Sequence, residues 1–267
     1  MKQFTASVGI LLAIIALCML GCTREMITVE GGTLPSGSEL VGQSVGAFEI
    51  GKTEVTWGEW KEVRDWAVAN NKGYDLAGVG DKYPQGSADN FPVIDVNWFD
   101  VVKWCNARSE KEGKTAVYTV SGQIYKTGES EPTVSASANG YRLPSDKEWE
   151  WAARGGVSSK GYTDSGSNTL NDVGWYNGNS KGSVEDMYEG RGTWPVGAKA
   201  ANELGIYDMS GNVWEWCEDL VGTSGRRIRG GSWLDPAGGA AVAICGNVQP
   251  VGRYDPIGFR LALSSGY

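Results

Sequence analysis

The chain has 267 residues, and its 32 acidic residues outnumber its 24 basic ones, which gives a formal net charge of -8. A negative surface repels phosphate backbones, so nucleic acid is not expected as a partner. The sequence contains no histidine, which excludes Ser-His-Asp hydrolysis, imidazole-ligated zinc and histidine-held iron. Carboxylate, tyrosine or lysine chemistry stays open. No phosphate-binding glycine loop ending in Lys-Ser or Lys-Thr occurs either, and we predict no cofactor and no metal site.

The amino terminus has the pattern of an exported lipoprotein. Lys2 precedes an apolar run over residues 8–20, which is shorter than the roughly 18 to 20 residues of a membrane-spanning helix and fits a signal peptide. The tripeptide Leu20-Gly21-Cys22 resembles the bacterial lipobox, whose cysteine carries the lipid. The alternative is an ordinary signal peptide that ends near a cysteine. We therefore predict a signal peptide over 1–21, lipidation of Cys22, a Gly-, Ser- and Thr-rich tether over 22–45 and a folded domain over 46–267.

Capping residues mark three helix starts in the folded domain. Thr56 with Glu59 and Ser145 with Glu148 form capping boxes, and Asn97 is an N-cap. Glycines at positions 73, 113 and 155 are expected to end these helices. A hairpin is expected from strands 116–118 and 123–125 around a Ser121-Gly122 turn.

The rest of the chain predicts one domain with long loops. Residues 155–205 are rich in Gly, Asn and Ser but also contain tryptophans and tyrosines, so we predict ordered loops over a core. No solenoid repeat, heptad or long apolar edge strand occurs, and a monomeric α+β domain is therefore expected.

The cysteines allow at most one disulfide in the mature chain. Cys18 is lost with the signal peptide and Cys22 carries the lipid, which leaves Cys105, Cys217 and Cys245. Export permits a disulfide, and whether Cys105 pairs with Cys217 or with Cys245 stays open. Cys245 is expected to be a small buried apolar residue.

Six motifs occur in the order typical of one family. They are IGKTEVTWGEW (50–60), PVIDVNWFDVVKWCN (92–106), YRLPSDKEWEWAARGG (141–156), GIYDMSGNVWEW (205–216), RGGSW (229–233) and GFRLA (258–262). Together they resemble the formylglycine-generating-enzyme, or sulfatase-modifying-factor, family. The resemblance implies a C-type lectin-like fold with small twisted antiparallel sheets, two to three helices and extensive ordered loops.

The same resemblance argues against the family's oxidase chemistry. Oxidase members carry cysteines two and seven residues after the RGGSW motif, where this chain has Asp235 and Ala240. We therefore predict a non-enzymatic protein without catalytic residues. Some members bind calcium near GNVWEW, where Asn212 and Glu215 occupy matching positions. The alternative, which we prefer, is that Asn212 makes a turn and Glu215 accepts backbone hydrogen bonds beneath a tryptophan cluster.

Residues 229–261 carry a second resemblance, to the variable regions of proteins diversified by retroelements. RGGSW, an unspecific stretch and IGFRL at the carboxyl end resemble this layout, with surface-displayed treponemal members nearest. The alternative is an ordinary loop. The resemblance implies a ligand-binding surface, and the positions expected to be exposed are Leu234, Asp235, Pro236, Gly238, Gly239, Val248, Val251, Gly252, Tyr254, Asp255 and Pro256. Tyr254 and Asp255 are expected to be the best single contacts, whereas Ala237, Val242, Pro250 and Arg253 are expected to be framework.

These patterns predict a lipid-anchored protein of the cell envelope, displayed at the outer-membrane surface. Its expected partners are an external protein or glycan and, through the lipid, the membrane. A scaffold whose stability lies outside 234–256 would tolerate substitution there, because core changes typically cost a few kcal/mol each. The alternatives are an oxidase-type enzyme and an envelope lipoprotein with one fixed partner.

Overall fold

The computed structural model describes residues 25–76, 78, 89–183 and 187–264. The helices of this part of the chain are α1 (Trp57–Ala69), α2 (Trp98–Lys111), α3 (Asp146–Ala153) and the single turn α4 (Leu170–Val173). Its strands are β1 (Met26–Val29), β2 (Gly32–Thr33), β3 (Ser44–Val45), β4 (Phe48–Gly51), β5 (Tyr118–Val120), β6 (Gln123–Ile124), β7 (Thr133–Val134), β8 (Trp214–Val221), β9 (Gly225–Arg229), β10 (Cys245–Val248), β11 (Ile257–Gly258) and β12 (Ala262–Ser264).

Four small sheets connect these strands. Their orders are β1-β4-β12, β10-β9-β8-β11, β2-β3 and β6-β5-β7. All pairs within them are antiparallel except β11, which runs parallel to β8. Because β1 and β12 both pair with β4, the two ends of the described chain lie in one sheet. This architecture confirms the mixed α+β prediction, and α4 adds one turn of helix to the three that were expected.

The three predicted helix starts are confirmed. The Thr56 and Ser145 side chains each accept a hydrogen bond from the backbone N–H of the glutamate three residues later. The carboxylate of that glutamate accepts one from the backbone N–H of the cap residue. Asn97 forms the same box with Asp100, a pairing that the sequence analysis did not include. These reciprocal bonds satisfy N–H groups that have no partner inside the helix.

The hairpin and its turn are confirmed, but the first strand lies at Tyr118–Val120, two residues later than predicted. Val120 pairs with Gln123, so the loop between β5 and β6 has two residues. Both loop residues have positive φ, 50° at Ser121 and 75° at Gly122. This backbone is the form that matches the right-handed twist of a hairpin.

The predicted tether is wrong for most of its length. Residues 26–29 form β1, and β2 pairs with β3 within the segment that was expected to be flexible. Val29, Leu34 and Val45 are buried in the core. Pairing of β1 with β4 explains this order, because burial of the apolar β1 side chains offsets the conformational entropy that the surrounding Gly and Ser residues lose when they become ordered. The predicted signal peptide and Cys22 lie outside the described residues.

Tryptophans hold the helices to the sheets. Trp60 of α1 stacks on Trp104 of α2 with ring centroids 5.5 Å apart, and Phe259 meets both rings edge-on. Trp98 and Trp216 donate their indole N–H groups to the carbonyls of Cys217 and Val96. These aromatic contacts join α1, α2 and the β8 sheet into one core, and they do so without residues 234–256.

The three cysteines that the structure describes are unpaired. Cys105 and Cys217 are buried, and desolvation raises the pKa of both thiols. The prediction for Cys245 was wrong, since this residue is partly exposed and Arg227 donates a hydrogen bond to its sulfur at 2.9 Å. The edge position of β10 explains the exposure, because β10 has a partner strand on one side. Within the described residues, every helix is too short or too polar to cross a bilayer.

Candidate functional site

Residues 234–256 wrap around one end of the β10-β9-β8-β11 sheet. After β9 the chain turns at Gly230 and Gly231, which both have positive φ, and passes through a short 3-10 helix at Ala237–Ala240. It then forms β10 beside β9 and crosses to β11 beside β8. The segment therefore runs from one edge of the sheet to the other, and we call its solvent side the wrap face.

The second half of the segment is held by its main chain. Four of its carbonyls accept hydrogen bonds from α2, from the residues before α2 and from β8. The donors and acceptors are Trp98 N to Pro250 O (3.0 Å), Asn97 Nδ2 to Val251 O (3.4 Å), Asp95 N to Tyr254 O (3.4 Å) and Trp214 N to Pro256 O (2.8 Å). These bonds fix the loop without using its side chains.

The side chains of the wrap face are unequally exposed. Leu234 is 44% exposed, Val251 51% and Tyr254 37%. Pro236 and Gly238 are exposed as well. The remaining predicted positions are half-buried: Asp235, Gly239, Val248, Gly252, Asp255 and Pro256. The predicted exposure is therefore correct for five of the positions and too high for the other six.

Asp235 is held by the framework, which corrects the expectation of an exposed contact. Its carboxylate accepts a hydrogen bond from Trp214 Nε1 at 2.8 Å and another from the Ser232 hydroxyl. Its carbonyl accepts from the Asn177 N–H at 3.0 Å. These partners are 3 to 58 residues away in sequence, so a local pattern does not reveal them.

The two predicted positions Gly238 and Gly252 differ in the space that each has for a side chain. A Cβ at Gly238 would meet no heavy atom within 4 Å, so this position has room for a side chain. A Cβ at Gly252 would lie 2.4 Å from the Tyr254 ring, which covers it. A side chain at Gly252 therefore requires Tyr254 to move.

The framework predictions are partly correct. Val242 is buried, and the Pro250 carbonyl is part of the bonding described above. Ala237, the first residue of the 3-10 helix, is exposed, contrary to prediction. Arg253 is exposed too, although its guanidinium forms an ion pair with Asp100 at 2.7 Å. Arg253 therefore belongs both to the framework and to the wrap face.

A pocket of about 360 Å³ opens on the wrap face. Its lining residues are Met187, Tyr188, Trp233, Leu234, Arg253, Tyr254, Asp255 and Pro256. Four of them were predicted as binding positions, whereas Met187, Tyr188, Trp233 and Arg253 were not. Tyr188 comes from the 155–205 loops and is 56% exposed. The sequence signal for Tyr188 was a tyrosine in a glycine-rich loop. Because this residue is far from 234–256 in sequence, the sequence gave no reason to place it in the same site.

The positions of the oxidase cysteines hold no thiol in this structure. Asp235 forms the hydrogen bonds described above, and Ala240 is fully buried. The Cys245 sulfur lies in β10, next to Arg227, and is not among the pocket residues. The described residues that line the pocket therefore offer apolar and aromatic contact area and a few polar groups.

The Asn212 and Glu215 pair lies in the core. Asn212 has the positive φ of a turn, as predicted, and its side chain donates to Glu54 at 2.8 Å. The predicted backbone donors to Glu215 are wrong, since its carboxylate accepts from Trp149 Nε1 and from the Arg260 guanidinium, each at 2.7 Å. Among the described residues, no group of three or more His, Cys, Asp or Glu side chains could hold a metal ion.

Burial raises the pKa of two acids near Arg260, Glu54 and Asp208. Desolvation raises the pKa of Glu54 well above its usual range, and the negative charges of Asp208 and Glu215 add to the effect. Desolvation also raises the pKa of Asp208 to about 6 from its ordinary 3.8. Since the folded state binds this proton more tightly than the unfolded state, the contribution of Asp208 to stability falls as the pH rises through this interval.

Comparison with known proteins identifies the fold. Residues 20–265 match the family described as the sulfatase-modifying factor enzyme 1-like domain. The chain belongs to this family. The chaperone protein LppX of Paenibacillus barcinonensis is 33% identical over 265 residues, which cover 90% of this chain and 89% of that protein. The resemblance drawn from the six motifs is thereby confirmed.

Two solved structures of this type cover nearly the whole chain. The crystal structure of CarF superposes with a TM-score of 0.76 and 29% identity, covering 91% of this chain and 99% of CarF. Treponema denticola variable protein 1 superposes with a TM-score of 0.69 and 29% identity, covering 90% of this chain and 94% of that one. These matches confirm the C-type lectin-like fold and the similarity to a variable protein.

Shorter matches include both inactive and active members of the family. The inactive C-alpha-formylglycine-generating enzyme 2 of Mus musculus is 38% identical over 48% of this chain and 44% of its own length. The formylglycine-generating enzyme of Thermomonospora curvata is 32% identical over 58% of this chain and 42% of its own length. This chain thus spans less than half the length of these two proteins.

Proposed function

We propose that this protein is a non-catalytic ligand-binding lipoprotein of the cell envelope. The wrap face contacts an external protein or glycan, and lipid on Cys22 anchors the chain at the outer-membrane surface. A retroelement diversifies the exposed side chains of residues 234–256. Asp235 and Ala240 in place of the oxidase cysteines support a binding role, and Leu20-Gly21-Cys22 supports the anchor.

The observation that carries this proposal is that the main chain of loop 249–256 holds the loop in place while some of its side chains stay exposed. Its carbonyls bond to α2, to the residues before α2 and to β8, while Val251 and Tyr254 point their side chains to solvent. A main-chain carbonyl is present whatever the side chain, so substitution at these positions leaves the anchoring bonds in place. Rigid loops with free side chains are the arrangement by which antibody loops present varied contacts.

The similarity to Treponema denticola variable protein 1 supports diversification in particular. The structural superposition of the two chains covers 90% of this chain, and the superposed sequences are 29% identical. The RGGSW and IGFRL motifs border the segment, and their Trp233, Phe259 and Leu261 side chains are buried. A diversified segment requires buried borders of this kind that stay unchanged, because substitution there would destabilise the scaffold.

Serine substitution of three exposed residues tests the binding face. We expect the triple variant Leu234→Ser, Val251→Ser, Tyr254→Ser to keep the stability of the wild type to within about 0.5 kcal/mol per position. We expect it to lose the binding signals that the wild type gives on a glycan array and on a displayed peptide library. Calorimetry and array fluorescence measure the two properties.

The matched control places serine at three exposed apolar residues that belong neither to 234–256 nor to the pocket lining. Val68, Ile124 and Val157 are 50%, 40% and 59% exposed, and their triple serine variant should keep every signal. Equal loss of signal in both triple variants would contradict the proposal. A several-fold larger loss of stability in the wrap-face variant would also contradict it, since residues 234–256 would then be framework.

A second candidate function is chaperone-like binding of one fixed partner. The 33% identity to LppX, which is a chaperone protein by name, over nine-tenths of both chains favours this candidate. The same wrap face serves both functions, since a fixed partner also requires an exposed, rigid surface. The two candidates differ in whether residues 234–256 change within a population.

Sequencing the codons for residues 225–262 across a growing population separates the two candidates. If a retroelement acts, we expect substitutions at template adenines within 234–256, unchanged RGGSW and GFRL codons, and a near-copy of the segment in the flanking DNA. Uniform codons without a template copy would overturn the diversification and favour the fixed partner. The codons for residues 56–69 serve as the internal control.

A further inference from the structure

A second pocket, of about 180 Å³, is lined by residues of α3, β7 and β8. None of the described residues that line it belongs to 234–256 or to the wrap-face pocket. Val117, Val134 and Ala138 give it an apolar wall, and Glu218 gives it a carboxylate. We call it the Glu218 pocket, and its role is separate from the proposed function of the wrap face.

The main chain of Glu218 is fixed, but its carboxylate has no partner. Its N–H donates to the Pro144 carbonyl at 3.0 Å, and its carbonyl accepts from the Arg226 guanidinium at 2.6 Å. Among the described residues, no donor or cation bonds to the carboxylate. The carboxylate oxygens are not among the unpartnered atoms of this part of the chain that are closed to solvent, so a ligand can reach them.

The cations near Glu218 already have other acids as partners. Arg142 forms two hydrogen bonds with Glu148, at 2.7 and 2.8 Å, and Arg226 forms an ion pair with Glu131. Glu218 is therefore left without a counter-ion of its own. The titratable and charged groups that interact electrostatically with it lie on α2, on β5, before α3, on α3, on β8 and on β9: Cys105, Tyr118, Arg142, Glu148, Asp219 and Arg226.

The half-buried Glu218 carboxylate binds protons more tightly than an exposed one. Desolvation raises the pKa of Glu218 from its ordinary 4.5 to about 7. Arg142 and Arg226 oppose this rise, and the negative charges of two neighbouring acids, Glu148 and Asp219, add to it. An ionised carboxylate in a desolvated site is stabilised by a proton or by a cation beside it. A cation that binds there lowers the pKa again and so displaces the proton near pH 7.

The rest of the pocket defines the kind of cation. Calcium takes about six to eight oxygen ligands, whereas this lining offers one unpaired carboxylate and a few hydroxyls. An ammonium group has three donors, which suit the carboxylate and the hydroxyls of Ser135 and Ser264. The volume equals that of about six water molecules, which accommodates an ammonium group on an alkyl chain of about four carbons. The apolar wall suits that alkyl chain.

We propose that the Glu218 pocket binds a primary ammonium group on a short alkyl chain, with the Glu218 carboxylate as its counter-ion. The ammonium donates charge-assisted hydrogen bonds to the carboxylate, and the alkyl chain packs against Val117, Val134 and Ala138. A lysine side chain and a small aliphatic amine share this chemistry. The pocket is thus a second binding site on the scaffold, outside the segment that is expected to vary.

Nuclear magnetic resonance of the isotope-labelled full chain tests this proposal, with n-butylammonium chloride as the probe and butan-1-ol as its neutral counterpart. Binding is followed at the backbone amide signals of Val134 and Ala138. Ionisation is followed at the carboxyl carbon of Glu218, which is assigned by its loss in Glu218→Gln. At constant ionic strength we expect saturable amide shifts with butylammonium, none with butanol, and a lower titration midpoint of Glu218 when butylammonium is bound.

The affinity for butylammonium is expected to be about tenfold higher at pH 8 than at pH 6. About nine-tenths of free Glu218 is ionised at the higher pH and about one-tenth at the lower, and the ionised form is the one that binds. Nα-acetyl-L-lysinamide separates the two sources of the ligand. Equal shifts with this amide indicate a lysine side chain of a protein, and shifts with butylammonium alone indicate a small amine.

The variant Glu218→Gln should abolish the amide shifts. Glu30→Gln removes an equal charge at an exposed acid outside the pocket lining and should keep them. Ala136→Leu keeps the test valid if Glu218→Gln does not fold, because Ala136 is an exposed residue of the lining where a larger side chain excludes the alkyl chain.

Three outcomes would overturn the proposal. They are equal shifts with butanol, undiminished binding in Glu218→Gln or Ala136→Leu, and a higher affinity at pH 6 than at pH 8. The triple serine experiment concerns other residues, so failure here leaves the binding function of the wrap face standing.

Discussion

Replacing Arg260 by methionine is expected to lower the free energy of unfolding by about 3 to 5 kcal/mol. Arg260 is fully buried and forms two hydrogen bonds with Glu215 at 2.7 Å. It also donates to the carbonyls of Gly51 and Tyr207. Its removal leaves a buried carboxylate without its cation and two carbonyls without donors, and each of these losses destabilises the folded state.

Lys52→Met is the matched control for this experiment. Lys52 pairs with Glu25 at the surface at 2.8 Å, where water replaces a lost partner. We expect its urea midpoint to stay near that of the wild type, while the midpoint of Arg260→Met falls strongly. An Arg260→Met variant as stable as the wild type would contradict the expectation that the buried Arg260 contacts stabilise the scaffold.

Replacing Gly231 by alanine is expected to cost about 3 kcal/mol of stability, from left-handed backbone strain and steric overlap together. Gly231 has a φ of 71°, and a Cβ there would lie 2.6 Å from the Gly239 carbonyl oxygen. Since that oxygen belongs to the main chain of the 3-10 helix, relief of the overlap requires this helix to shift. We expect a lower thermal midpoint in calorimetry and a displaced wrap face.

Gly238→Ala supplies the comparison within the same segment. A Cβ at Gly238 meets nothing within 4 Å, and its φ is not positive. Alanine there should leave stability unchanged or raise it slightly, because it restricts the unfolded chain. If both alanine variants were equally stable, the RGG turn would not be the rigid border on which the binding proposal depends.

Arg260 and Gly231 are residues that the scaffold requires, whereas exposed residues of the wrap face can be substituted. Arg260 and Gly231 belong to GFRLA and RGGSW, the motifs on either side of 234–256. Both act through contacts with main chain or with buried acids, none of which is an exposed side chain of the wrap face. The motifs on either side of 234–256 thus stabilise the fold, while the exposed side chains between them are available to a ligand.

Short-range patterns were sufficient for the helix starts, the hairpin and the family. A capping box joins residues three apart, and the Ser121-Gly122 turn is specified by its own two residues, so a few neighbouring letters contain the whole interaction. The family was recognised differently, from six short motifs whose order along residues 50–262 resembles that of the family.

Long-range contacts determined the features that the sequence patterns did not reveal. Asp235 has the composition of an exposed loop residue, but Trp214 and Asn177 bind it across the fold. The β1 strand became ordered because β4 pairs with it. The pocket joins Tyr188 to Trp233 and Tyr254, which are far apart in the chain. Burial and hydrogen bonding depend on which residues meet in space, and the tertiary fold establishes those meetings.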